Sequence, residues 1–132
     1  MTLKDYQILN REAWQKIAEE YKEPAEKAWE SGDPHWGIWQ LPESKLEIFP
    51  NDLKGKKCIE IGCGAGYVSS WMARRGAEVI GIDPTPNQLE TARHLEKQYQ
   101  LGIEFVEGFG EKLPFPDSCF DFAISEYGAS LW

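Results

Sequence analysis

The chain has 132 residues, 42% of them apolar and 27% charged, with a net charge of −8; that length suits one domain, and the apolar share argues against disorder. No apolar run approaches the roughly 18–20 residues that cross a bilayer, and the start MTLKDYQILNREAW lacks the basic and apolar regions of a signal peptide, so a cytoplasmic protein without membrane attachment is expected. The 14 Lys and Arg are scattered and form no basic stripe, which argues against a nucleic-acid partner.

Tyr6, Leu9, Ala13, Trp14, Ile17, Ala18 and Tyr21 recur at three- and four-residue steps, which predicts one amphipathic helix with these residues on its apolar stripe. Pro24 stops that helix and suits the first turn of a second, short one reaching Trp29, with Gly32 as its stop. The stretch SGDPHWGIWQLPES reads as an ordered loop, because a solvated linker would not carry Trp36, Ile38 and Trp39. A short helix is expected over 42–49. Residues 1–54 are thus expected to form a helical cap and lid segment, and residues 55–132 the main fold.

From Lys57 the pattern changes. Cys58-Ile59-Glu60-Ile61 reads as a strand, and 68–75 as a helix with Trp71 and Met72 inward, ended by Gly76. Residues 78–82 form a second strand. Thr85-Pro86-Asn87-Gln88 has the form of a capping box with proline at the first helical position: the Thr85 hydroxyl would accept from the Gln88 N–H, and the Gln88 side chain would reach back. The helix that follows runs to about Gln100, with Leu89, Ala92, Leu95 and Tyr99 on one face and Gly102 ending it. Strands are expected over 103–107 and, after a proline-containing loop, over 120–125. The order β-α-β-α-β-loop-β implies an α/β, Rossmann-like fold: a parallel sheet with right-handed crossovers and flanking helices.

The chemistry concentrates at the end of the first strand. Gly62-Cys63-Gly64-Ala65-Gly66 joins it to a helix, where glycines permit a tight turn and close approach of a ligand to the main chain, and where the helix start adds partial positive charge. A dinucleotide fingerprint spaces its glycines G-x-G-x-x-G/A; here Tyr67 holds the sixth position and the third glycine falls one place early. Glu60 sits between apolar Ile59 and Ile61, so it is expected to be buried and hydrogen-bonded rather than solvated. Asp83 ends the second strand, where an acid accepts from the ribose hydroxyls of a ligand lying across the strand ends; it also begins the turn before Pro84. Cys58, Cys63 and Cys119, with His35 and His94, form no metal-ligand spacing, and Cys58 suits a buried reduced thiol. No metal site is expected.

Glu60-Ile61-Gly62-Cys63-Gly64-Ala65-Gly66, then Gly81-Ile82-Asp83, then Gly110-Glu111-Lys112-Leu113-Pro114-Phe115-Pro116-Asp117-Ser118-Cys119-Phe120-Asp121 together resemble the class I S-adenosylmethionine-dependent methyltransferases, in particular the small-molecule branch with an LPFPD-x-x-FD segment. The resemblance covers residues 57–127. It implies S-adenosylmethionine as cofactor, S-adenosylhomocysteine as product and a small-molecule methyl acceptor. It implies that Gly62, Cys63, Gly64 and Gly66 lie against the methionine part of the cofactor and that Glu60 braces their turn. Asp83 would take the ribose hydroxyls and Pro84 would flank the adenine. Gly110, Glu111 and Lys112 would border the adenine ring. Glu126 and Tyr127 follow the fourth strand and would face the cofactor or the acceptor, and no residue stands out as a catalytic base. Phe109 stands where many relatives carry an acid, and stacks on or walls the adenine instead. Trp36 and Trp39 either pack the cap onto the sheet or form a lid that excludes water from the sulfonium.

The family's sheet has seven strands ordered 3-2-1-4-5-7-6, and the sequence to Trp132 reaches only the fourth. The chain is therefore expected to be the cofactor-binding first part of the domain, with the exposed edge of its fourth strand open to self-association. Two other readings stand beside the methyltransferase: a module that holds S-adenosylmethionine without catalysis, and a nicotinamide-dependent oxidoreductase, against which the glycine spacing and Glu60 both speak.

Overall fold

The computed structural model describes residues 4–37, 39–116 and 118–126. Helix α1 (Asp5–Ile17) passes through a 3-10 turn (Ala18–Tyr21) into α2 (Lys22–Ser31). The break falls at Ala18 rather than Pro24, because Pro24 sits in the first turn of α2, where its missing N–H costs no helical bond. Gly32, at φ 68°, ends α2 as expected. The predicted burial of the α1 stripe is not realised. No residue of α1 is buried, and Leu9 is 64% exposed. Only Ala18, beyond its end, enters the core.

The loop after α2 folds into a small antiparallel hairpin, β1 (His35–Trp36) and β2 (Leu41–Pro42). The expected helix over 42–49 shrinks to one turn, α3 (Glu43–Leu46), ended by Glu47 in a left-handed conformation. The Glu43 carboxylate takes the Ile48 and Phe49 N–H groups that a longer helix would have bonded internally.

The main sheet contains β3 (Lys57–Ile61), β4 (Glu78–Asp83), β5 (Glu104–Glu107) and β6 (Phe122–Ile124), all parallel, in the order β5-β4-β3-β6. Helix α4 (Tyr67–Arg74) links β3 to β4, and α5 (Pro86–Tyr99) links β4 to β5. The α/β, Rossmann-like expectation is met. Strand boundaries are shorter than read from sequence for β5 and β6. The β6 ladder starts where Asp121 clasps Lys57, its Oδ2 accepting from the Lys57 N–H (2.9 Å) and its own N–H donating to the Lys57 carbonyl (2.7 Å). Among the described residues β6 is an edge strand, with half-buried Phe122 and Ile124 against the core.

Trp71 and Met72 are fully buried beneath the sheet, as are Leu89 and Ala92 of α5. Helix α5 ends at Gln100, left-handed at φ 52°, two residues before Gly102; the Glu96 carboxylate captures the N–H groups of Leu101, Gly102 and Ile103. The same core takes in Ala25, Ala28 and Trp29 of α2. Trp29 Nε1 donates to the Ala65 carbonyl (2.9 Å) and Trp71 Nε1 to that of Ala28 (3.0 Å), so these two buried indoles are satisfied across the contact of α2 with the rest of the core. Among the described residues no helix is long and apolar enough to cross a membrane.

Phe105 of β5 packs over Gly81 of β4. A Cβ on Gly81, its ladder partner, would lie 2.8 Å from Phe105 Cδ1 and 3.0 Å from Cys63 Sγ. Gly81→Ala is expected to destabilise the fold by about 1–3 kcal/mol through overpacking, read as a lowered urea midpoint at unchanged slope. An unchanged midpoint would show that the ring moves aside freely.

Candidate functional site

The turn that follows β3 is pinned from below by one carbonyl. The N–H groups of Gly62 and Cys63 both donate to the Ile82 carbonyl, at 2.8 and 3.0 Å. The chain then needs left-handed backbone at Gly62 (φ 70°), Gly64 (54°) and Gly66 (82°), which residues with a Cβ adopt only at a cost. At Gly66 a Cβ would also meet Phe105 Cζ at 2.6 Å. Gly66 caps α4, so the turn delivers the chain directly into a helix start.

Glu60 is 2% exposed in the middle of β3, between Gly81 and Ile124 of the neighbouring strands. Its Oε1 accepts from both the N–H (3.0 Å) and the hydroxyl (2.7 Å) of Ser69, in the first turn of α4. The expected brace therefore acts on the helix that the turn opens. Burial raises the Glu60 carboxyl well above the ordinary glutamate range; the two Ser69 bonds pull it partly back, and the charges of Glu126 and Asp83 push it further up.

Asp83 closes the other side. Its Oδ2 accepts from the Gly64 N–H (2.9 Å) and its Oδ1 from the Thr85 N–H (2.8 Å). Burial raises its carboxyl, while these bonds lower it in part. The predicted capping box is not formed: Thr85 makes no side-chain cap bond to α5. Asp83 takes the Thr85 N–H that Gln88 was expected to reach, and Gln88 is left with a buried Oε1 that has no partner among the described residues. Pro84 is half-buried in the bend between Asp83 and Thr85.

Cys63 presents only backbone to this site. Its thiol is buried, packs toward Gly81, and is pushed well up by burial and by the neighbouring Glu60 and Asp83 charges, so it stays protonated and inert. Glu126 joins three segments: Oε1 accepts from the Tyr67 hydroxyl at the start of α4, and Oε2 from the Gly37 N–H of the hairpin (3.1 Å). It is a bridging acid between these segments. Trp36 is buried edge-on against Phe49 and Trp71, at 5.1 and 5.7 Å between ring centroids, which packs the hairpin onto α4. Its Nε1 has no acceptor among the described residues. Trp39, at the hairpin turn, is 79% exposed. Tyr127 and Asp117 lie outside the described residues.

Glu60, the 62–66 turn, Asp83 and Glu126 thus gather at the carboxyl ends of β3, β4 and β6. Gly110, Glu111 and Lys112 lie in the loop after β5, where Glu111 is exposed and accepts from the Tyr6 hydroxyl of α1. The other end of α1 meets the start of α5, where the Asn87 N–H donates to Gln15 Oε1 (3.2 Å). Helix α1 therefore spans from the loop after β5 to the start of α5 by polar contacts, with Tyr6, Leu9 and Ala13 of its stripe exposed and Trp14 and Ile17 half-buried. Sequence reasoning missed Ser69, Thr85, Tyr6 and Gln15; a polar side chain bonded across the fold leaves no local pattern.

The methyltransferase domain family matches residues 59–131, more than half of the chain. The ubiquinone biosynthesis O-methyltransferase of Histophilus somni is 36% identical over 101 residues, covering 71% of this chain and 42% of that protein. The fatty-acid O-methyltransferase of Mycolicibacterium smegmatis is 35% identical over 83 residues, covering 61% and 30%. The solved S-adenosylmethionine-dependent methyltransferase of Mesorhizobium loti aligns with a TM-score of 0.54 at 30% identity, over 61% of this chain and 36% of that one. A solved structure from Methanococcus maripaludis shares the fold over 89% of this chain and 52% of its own, with a TM-score of 0.71 at 20% identity. The chain spans less than half the length of the two curated relatives.

The raised Glu60 carboxyl has a consequence for stability. The folded state holds this proton to higher pH than the unfolded chain, whose glutamates titrate near about 4.3. Stability therefore falls as pH rises from there through the folded value. Glu60→Gln keeps an acceptor for Ser69 and removes the ionisation. Urea midpoints measured from about pH 4.5 to 8.5 are expected to fall less steeply than in the parent, with the substituted protein the more stable above neutrality. Parallel profiles would show that Glu60 ionises in the fold at no cost.

Proposed function

The chain belongs to the methyltransferase domain family, and on that premise we propose that it is the cofactor-holding part of an S-adenosylmethionine-dependent methyltransferase acting on a small molecule. One observation carries the reading. The acid at the end of β4 is hydrogen-bonded to the middle glycine of the turn after β3, at 2.9 Å, so the ribose-binding and methionine-binding elements of the resemblance form one connected surface. The residues fit the cofactor. The 62–66 turn carries no side chain at three of its five positions, so a ligand can approach its main chain. Asp83 stands where strand ends meet ribose hydroxyls, and Pro84 beside it flanks the adenine.

The bound cofactor supplies a methyl group activated on a sulfonium. The protein's part is to hold and orient. Glu60 fixes α4, and with it the helix start that faces the amino-acid end of the ligand. Glu126 ties the hairpin to α4, and the hairpin narrows access of water from the acceptor side. Gly110, Glu111 and Lys112 border the adenine from the loop after β5, with Phe109 as an apolar wall and α1 laid across. Alignment of the acceptor with the methyl group is the main source of rate in this scheme. A small acceptor fits the relatives, whose names are those of ubiquinone-biosynthesis and fatty-acid O-methyltransferases.

Calorimetric titration tests the reading. S-adenosylhomocysteine is expected to bind and NADH to give no heat. Asp83→Ala, verified as folded by circular dichroism, is expected to weaken binding about tenfold or more, through loss of charge-assisted bonds. Binding of NADH, or equal affinity in the substituted protein, would refute the assignment.

A further inference from the structure

Helix α1 is built as a lever. None of its residues is buried. It runs into the 3-10 turn Ala18–Tyr21, whose tighter winding interrupts the path from α1 to α2; a 3-10 stretch between two helices is a natural hinge. Beyond that turn α2 is anchored, with Ala25, Ala28 and Trp29 in the core and the Trp29 indole bonded to Ala65. A segment with few buried contacts opens locally at little cost while its anchored neighbour stays in place.

Two polar ties hold the lever down. Close to the hinge, Gln15 Oε1 accepts from the Asn87 N–H (3.2 Å) and the Gln15 carbonyl from Asn87 Nδ2 (3.4 Å). At the far end, the Tyr6 hydroxyl donates to Glu111 Oε2 at 2.5 Å, in the short range of a bond to a carboxylate. The ties land on different loops. Asn87 is the second residue of α5, just past Asp83, Pro84 and Thr85 at the end of β4, and Glu111 follows β5. Helix α1 therefore crosses the carboxyl ends of β4 and β5, over the side of the site that the cofactor reading gives to the ribose and adenine. The Tyr6–Glu111 bond is exposed, so water can replace it and its net cost of breaking is small.

We propose that α1 is a gate on cofactor exchange, hinged at the 3-10 turn and latched by the Tyr6–Glu111 bond. The Glu111 carboxylate then serves α1, while the main chain of its loop borders the adenine. This rests on the cofactor reading above and adds to it the step by which the ligand enters and leaves.

Surface plasmon resonance tests it, with S-adenosylhomocysteine passed over the immobilised parent, Tyr6→Phe, Glu111→Ala and the double variant, each verified as folded by circular dichroism. Tyr6→Phe is expected to speed association and dissociation alike, each about three- to tenfold, and to change the equilibrium constant by less than about twofold, because a latch closed in both free and bound protein scales both rates. Glu111→Ala is expected to do the same, and the double variant no more than either, since each change removes the same bond. Amide exchange of the free Tyr6→Phe protein should be faster over α1 and unchanged over β3. Unchanged rates would overturn the proposal. Faster dissociation at unchanged association would make α1 an ordinary contact of the ligand and overturn it as well. Weaker binding in Glu111→Ala alone, added in full to the effect of Tyr6→Phe, would put the carboxylate on the ligand instead of the helix. If the parent itself does not bind S-adenosylhomocysteine, the cofactor reading fails and the gate falls with it; a parent that binds while the rates ignore the latch sinks the gate alone.

Discussion

The bond between the Asp83 carboxylate and the backbone of Gly64 is the constraint on which the rest of the site depends. A parallel sheet places the ends of β3 and β4 side by side, but register alone leaves the turn after β3 free to adopt many shapes. One carboxylate removes that freedom. It accepts from the turn on one oxygen and from the start of the α5 connection on the other. The Ile82 carbonyl, one residue earlier, holds Gly62 and Cys63. The turn is thereby shaped before any ligand arrives, which lowers the ordering cost of binding.

Burial of two acids so close together runs against simple solvation, since both are desolvated and the Asp83 charge pushes the Glu60 carboxyl further up. The fold accommodates them by giving each a set of main-chain and hydroxyl donors: Ser69 for Glu60, Gly64 and Thr85 for Asp83. Around them the packing is aromatic. Phe105 lies against Gly66 and Gly81, Trp29 against Phe105 and Tyr99, and Trp71 against Tyr67 and Trp36. The rings leave no space for side chains at the glycines, so the absence of a Cβ there is as much a matter of packing below the turn as of a ligand above it.

Much of this was legible in the sequence where the signal is local. The alternation of apolar strands, glycine turns and helices implied a parallel sheet with right-handed crossovers, and the strand order came only with the family resemblance. Ile59-Glu60-Ile61 marked a buried acid, and Asp83 followed an apolar strand. The failures share a cause. Thr85-Pro86-Asn87-Gln88 has every residue of a capping box, but Asp83, two residues upstream, competes for the same N–H and is the stronger acceptor because it is charged. The apolar stripe of α1 has the spacing of a core helix, but no residue of it is fully buried, and Gln15 and Tyr6 bond instead to the start of α5 and to Glu111. Trp36 and Trp39 are indistinguishable by type, and only the hairpin turn between them buries one and exposes the other. Contacts between residues far apart in sequence decided each case.

The central claim is that a turn already shaped by Asp83 receives the cofactor across the carboxyl ends of β3 and β4. Amide hydrogen exchange, followed residue by residue with and without S-adenosylhomocysteine, addresses it most directly. The Gly64 and Thr85 amides are expected to be protected in the free protein, and protection is expected to increase on ligand addition over 62–66 and 83–88 while 43–54 stays unchanged. Fast exchange at Gly64 and Thr85 in the free protein, or added protection confined to other segments, would contradict the account.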